Sequence, residues 1–107
     1  MTDACIVFST CGSEDTALAI AKALVDQKLA ACVSIIPGIK SYYWFEGRSH
    51  LNAEYKLIIK TRPGLFDRVS GLITELHPYK IPEIVMTKID AASGPYLQWI
   101  EQTVIGP

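Results

Sequence analysis

The chain has 107 residues, half of them hydrophobic and a fifth charged, with ten basic side chains against eleven acidic. That length suits a single domain spanning 1–107 whose folding removes roughly two thirds of the extended-chain surface from water. A nearly neutral chain without a basic cluster lacks the footprint of a nucleic-acid binder, and no apolar run approaches the about 20 residues needed to span a bilayer. The start, Met1-Thr2-Asp3, has no basic region leading into an apolar one, so the expectation is a soluble, cytoplasmic protein. The three cysteines, Cys5, Cys11 and Cys32, are odd in number with no close pair, and reduced thiols are expected. Cys5 and Cys32 fall in strand-like runs, where a thiol is usually a small buried hydrophobe. Cys11, at a strand end, is the one to weigh for chemistry.

Ala4 to Ser9 is a short apolar run stopped by Gly12 and Ser13, which predicts a strand buried on both faces. Ser13 is suited to cap a helix running to about Lys28, with Glu14 and Asp15 at the positive end of its dipole. Ala17, Leu18, Ala21, Leu24 and Val25 are its expected inner stripe. Cys32 to Phe45 and Ala53 to Thr61, rich in β-branched and aromatic residues, flank a polar segment with Glu46, Gly47 and Asn52 and predict a long antiparallel hairpin. Pro37 cannot donate to a ladder, so with Gly38 it marks a bulge or bend in the first strand. Pro63 opens a second helix, along which Leu65, Phe66, Val69, Leu72, Ile73 and Leu76 recur at helical spacing. Pro78 stops it, and Ile84 to Ile89 predict a fourth strand. Ser93, Gly94 and Pro95 then open a short last helix with Tyr96, Leu97, Ile100 and Val104 as apolar positions, closed by Gly106 and Pro107.

Strand, helix, strand, strand, helix, strand and a terminal helix form the split βαβ order of an α+β, ferredoxin-like fold. Both main helices then cover one face of the sheet. On the third strand Tyr55, Leu57 and Ile59 alternate with Lys56, Ile58 and Lys60, and the first two strands are apolar on both faces. An oligomer with its sheets facing inward is therefore expected.

These residues resemble CutA, the divalent-cation tolerance family, over nearly the whole chain. The resemblance is carried by Ala30-Ala31-Cys32-Val33, Ile36-Pro37-Gly38, Ser41 with Tyr43 and Gly47, Glu54, Leu57-Ile58-Ile59-Lys60-Thr61, His77-Pro78-Tyr79 with Pro82-Glu83, and Tyr96-Leu97-Gln98-Trp99. It implies a ferredoxin-like protomer in a tight homotrimer with long hairpins pairing between neighbours, similar in shape to the PII signalling proteins. The chain departs from the family pattern at Ser34, Phe45, Lys80 and Lys88, none of which threatens the fold. Members proposed to bind copper place a Cys at the position of Ser9 and a second His at that of Leu76. Of that ligand set only His77 carries over, and Cys11, two residues beyond Ser9, is the substitute the alternation of a strand offers.

A thiolate and an imidazole suit Cu(I), Cu(II) or Zn(II), but Cys11 and His77 make half of a closed site. No CxxC, HxxxH or HExxH spacing completes it, though a trimer could supply ligands from a neighbour, with His50, Glu54 and Glu83 as candidates. A lone His before Pro at a helix end, however, more often hydrogen-bonds locally. A Cys–His nucleophile lacks an evident orienting third residue, and no catalytic elbow or phosphate loop is present. Tyr42, Tyr43, Trp44 and Phe45 without a basic stripe fit an interface between chains better than a base-stacking platform. Lys60, Arg62 and Lys88 are candidates for an anion site if they gather, and Glu83 for a buried carboxylate needing one basic partner. Tyr96 and Trp99 are expected to fasten the last helix to the trimer.

The sequence thus points to a non-enzymatic homotrimer tied by resemblance to divalent-metal tolerance, with copper or another divalent cation expected at His77 and Cys11. The alternative is a PII-like signalling module taking a small anion or a protein partner at its subunit clefts, and a third is a structural scaffold.

Overall fold

The computed structural model describes residues 3–106. Its elements are β1 (Cys5–Cys11), α1 (Glu14–Asp26), β2 (Cys32–Phe45), β3 (Arg48–Thr61), a 3-10 turn (Pro63–Leu65), α2 (Phe66–Leu76), β4 (Val85–Lys88) and α3 (Gly94–Thr103). The strands form one antiparallel sheet in the order β2-β3-β1-β4. This is the expected α+β, ferredoxin-like topology with an added terminal helix.

Alternation along β1 sends Cys5, Val7, Ser9 and Cys11 to one face, and all four are fully buried. The register pairs Ser9 with Leu57 and Val7 with Ile59, so Leu57 and Ile59 share that face and form the core with the helices. The opposite, uncovered face carries Ile6, Phe8, Ile36 and Ile58 among Lys56 and Lys60. The mixed pattern of β3 is resolved in this way: its apolar set lies beneath the helices and its lysines lie on the open side.

α1 starts as its sequence dictates, with the Ser13 side chain accepting from the Thr16 amide at 3.1 Å. Its inner stripe, however, is set differently from the expectation. Ala17, Ile20 and Leu24 are buried, whereas Leu18 and Val25 are exposed. Positions 17, 20 and 24 lie on one line of a 3.6-residue helix, and 18 and 25 lie a step of about 100° around from it. The helix also ends before Lys28. The Leu29 amide donates to the Leu24 carbonyl and the Lys28 amide to Val25, a Schellman motif with Lys28 in the left-handed region at φ +58°. Leu29 completes that motif by burying itself near Leu24.

The hairpin is longer than its apolar residues imply, because β3 begins at Arg48 rather than Ala53. Glu46 and Gly47 alone make the turn, at φ +51° and +81°. Positive φ at both central residues belongs to the tight turn whose twist matches paired strands, and glycine adopts it without steric cost. Beyond the bulge the ribbon buries only Glu54, so apolar alternation is not required there. The bulge is where Pro37 predicts it: the register shifts between Ile36 and Ile39, with Gly38 at φ +73°.

α2 buries Val69 and Ile73, and its last apolar position, Leu76, is exposed. β1 runs to Cys11, two residues past its expected end, and β4 is trimmed to Val85–Lys88. Ser93 caps α3, which plants Ile100 in the core, Val104 follows it there at the helix end, and the Ile105 amide donates to the Lys28 carbonyl. The expectations for Met1, Thr2 and Pro107 lie outside the described residues.

Candidate functional site

The site grows from the point where α2 runs out against the end of β1. Pro78 disfavours helical geometry at His77, whose backbone is extended at φ −86° and ψ 132°, and the ring turns inward to 7% exposure. Its Nε2–H donates to the Thr10 carbonyl at 2.7 Å, and its Nδ1 accepts the Tyr79 amide at 3.1 Å. A carbonyl needs a donor and an amide needs an acceptor, so these partners select the Nε2–H neutral tautomer. Both ring nitrogens are committed to the backbone.

Cys11, the other expected ligand, is buried on the core face and donates to the Ser13 carbonyl at 3.5 Å. Burial, with a smaller push from Glu54 and partly offset by that hydrogen bond, raises its thiol above the usual range, so it favours the protonated form and not the thiolate a metal needs. Among the described residues no three His, Cys, Asp or Glu side chains come together as a metal site. The two residues do not fit a resident copper ion: one lacks a free lone pair and the other a readily formed anion. Leu76 is exposed.

Next to His77 the structure assembles a group that sequence spacing does not reveal. The Tyr79 phenol donates to Glu54 Oε2 at 2.8 Å, and its ring leans on the His77 ring at 4.6 Å between centroids. Glu54 is only 5% exposed. Burial, then the hydrogen bond and charge of Glu54, push the Tyr79 phenol up to about 12. Gly12 makes room for this arrangement, since a Cβ there would stand 3.0 Å from the Tyr79 hydroxyl. Glu83, expected to be buried, is half-exposed and paired with Lys56 at 3.2 Å; the buried carboxylate is Glu54. The Tyr79–Glu54 pair joins residues 25 apart. Its only sequence signal is a carboxylate inside a strand otherwise fit to be covered.

A cleft of about 850 Å³ opens here between the hairpin and the segment from Tyr79 to Glu83. Tyr43 and Phe45 lie on the same ribbon face as Glu54, and Tyr43 stacks on His50 at 5.2 Å while taking a hydrogen bond from Asn52. Tyr42 and Trp44 lie on the reverse face, exposed. The cations of the anion expectation are dispersed: Lys60 bonds Ser34 at 2.6 Å and Arg62 pairs with Asp3 at 3.3 Å. Lys88 shares the face of Cys5, opposite to Lys60.

A ferredoxin-like sheet with one open face, a bulged strand and a hairpin reaching beyond the core defines the class of this protein. The family model described as CutA1 divalent ion tolerance protein matches residues 5–103, and the chain belongs to that family. The divalent-cation tolerance protein CutA of Thermus thermophilus is 40% identical over 97 residues, 91% of this chain and 94% of that protein. Human protein CutA is 37% identical over 95 residues, 89% of this chain and 53% of that protein, and the chain likewise spans 55% of a rice chloroplastic CutA. The matched stretch of this chain thus spans about half the length of those two relatives. Among solved structures, CutA1 of Oryza sativa superposes with a TM-score of 0.96 at 34% identity, covering 99% of this chain and 97% of that one. The periplasmic divalent cation tolerance protein CutA of Archaeoglobus fulgidus gives 0.92 at 37%, covering 95% and 99%.

Proposed function

We propose that this protein serves tolerance of divalent metal ions as a homotrimer, meeting cations at surfaces the copies build together and not at a copper centre of His77 and Cys11. The observation that carries the reading is the apolar surface a single copy leaves in water. Tyr42, Trp44 and Leu51 are 76%, 74% and 54% exposed on one face of a two-stranded ribbon. Such a ribbon is marginal alone, so neighbouring copies are its natural cover. The cation role is supported by the Thermus and Archaeoglobus relatives, both divalent-cation tolerance proteins. Binding rather than catalysis is proposed, since Cys11 and His77 are both engaged in hydrogen bonds. Its three free thiols suit a reducing compartment such as the cytoplasm. The anion-binding, PII-like alternative has less support, because three carboxylates and one lysine line the cleft.

The test has two arms. Light scattering should give three times 11.8 kDa. A strain lacking its own copy should regain growth on copper or zinc when given either the wild type or His77→Gln. A monomer in solution would overturn the trimer, and rescue by the wild type alone, with His77→Gln folded, would restore His77 as a ligand.

A further inference from the structure

We propose that the cleft lined by Glu54 and Tyr79 binds a small organic cation, an ammonium or guanidinium group carried on an apolar body. Glu54 is nineteen-twentieths buried by its 5% exposure, and the hydrogen bond it takes there comes from a neutral phenol. No basic side chain among the described residues lies within ion-pair distance of it. The nearest cation in sequence, Lys56, turns to Glu83, Lys60 turns to Ser34, and Arg62 turns to Asp3. A carboxylate withdrawn from water without a counter-charge is strongly disfavoured, and a cation from outside would relieve it.

The shape and lining select which cation. At about 850 Å³ the cleft is of a size that holds small molecules. A divalent metal requires several oxygen ligands converging on one point, whereas the carboxylates lining this cleft do not gather into such a group. Tyr43, Phe45 and Tyr79 instead offer ring surface beside the carboxylate, which suits an ammonium or guanidinium with an apolar body. The anion class is disfavoured by the same lining, in which Glu46, Glu54 and Glu83 outnumber Lys80. The inference stands apart from the metal reading, since it uses neither His77 nor Cys11 as a ligand.

Calorimetric titration of the assembled protein with phenethylammonium, and in parallel with its neutral isostere 2-phenylethanol, tests this. The ammonium should bind roughly tenfold or more tightly than the alcohol, as a charge-assisted hydrogen bond implies, and Glu54→Gln should erase the difference. Tyr79→Phe keeps the carboxylate and should retain the preference. If Glu54→Gln does not fold, the ring proton resonances of Tyr43 and Tyr79 in the wild type decide: the ammonium should move them at roughly a tenth of the concentration, or less, that the alcohol needs. Equal affinities, a preference that survives in folded Glu54→Gln, or no binding of either probe would overturn the proposal. So would dissociation of the oligomer by the ammonium, which would place a basic side chain of a second copy in the cleft.

Discussion

Ser9 Oγ is buried with no hydrogen-bond partner among the described residues, on the face of β1 that packs into the core. An unsatisfied hydroxyl carries a desolvation penalty with no return, so Ser9→Ala should raise stability by about 1 kcal/mol in urea unfolding. A loss of similar size would mean that the hydroxyl is bonded to buried water. Two other residues contribute most to the response to alkali. Burial, reinforced by the charge of Asp3, lifts Cys5 from 9.0 to about 11, and burial with Glu54 lifts Tyr79 from 10.0 to about 12. Each group keeps its proton in the folded chain at a pH where the unfolded chain has released it. The stability this contributes is whole below pH 9 and declines as pH climbs toward 12. Thermal midpoints measured across that range should fall. Cys5→Ala should flatten the lower part of the decline and Tyr79→Phe the upper part; an unchanged profile in both would refute the assignment.

At the scale of the element, turn chemistry decides where the chain reverses. Lys28 holds a left-handed conformation at the C-terminal end of α1, which a side chain with a Cβ adopts at a penalty of about 1 kcal/mol or more. Lys28→Gly should therefore stabilise the protein, or at worst leave it unchanged, as read from the unfolding midpoint. At the hairpin tip the sign reverses, because Gly47 already provides the conformation at φ +81°. Gly47→Ala should cost about 1 kcal/mol and shift only resonances of the hairpin in a spectrum of the folded protein. If both substitutions moved stability in the same direction, the conformational explanation would fail.

The whole molecule extends 45 × 25 × 22 Å, and its long dimension is far beyond what its core requires. Apart from the bulge after Ile36, β2 and β3 pair from Cys32 to the turn, with Trp44 opposite Ser49 and Tyr42 opposite Leu51 on the exposed side. In the proposed trimer, a charge placed in that strip should disfavour its burial between copies. Trp44→Glu should lower the mass in solution toward that of one chain and abolish rescue of growth on copper or zinc. A variant that remains trimeric would show that this side of the ribbon is not the interface. His77→Gln is the counterpart at this scale, affecting local hydrogen bonds to Thr10 and Tyr79 without altering assembly.

Near neighbours in the chain determined much of this protein. The Ser13 and Ser93 caps, the bulge after Ile36, the stop at Pro78 and the order of strands and helices each depend on a few adjacent residues, and all were legible in the sequence. Tertiary packing decided which of two adjacent stripes of α1 turned inward, since Leu18 and Ile20 are equally apolar and only the sheet beneath chooses between them. It also decided the site. Thr10 meets His77 and Glu54 meets Tyr79 only because β1, β3 and the end of α2 converge. That convergence ties up the imidazole expected to hold a metal and buries a carboxylate whose role no spacing announces. Local conformation is governed by short-range sterics and hydrogen bonding, whereas a site is made by groups distant in the chain whose partners exist only once the core has closed.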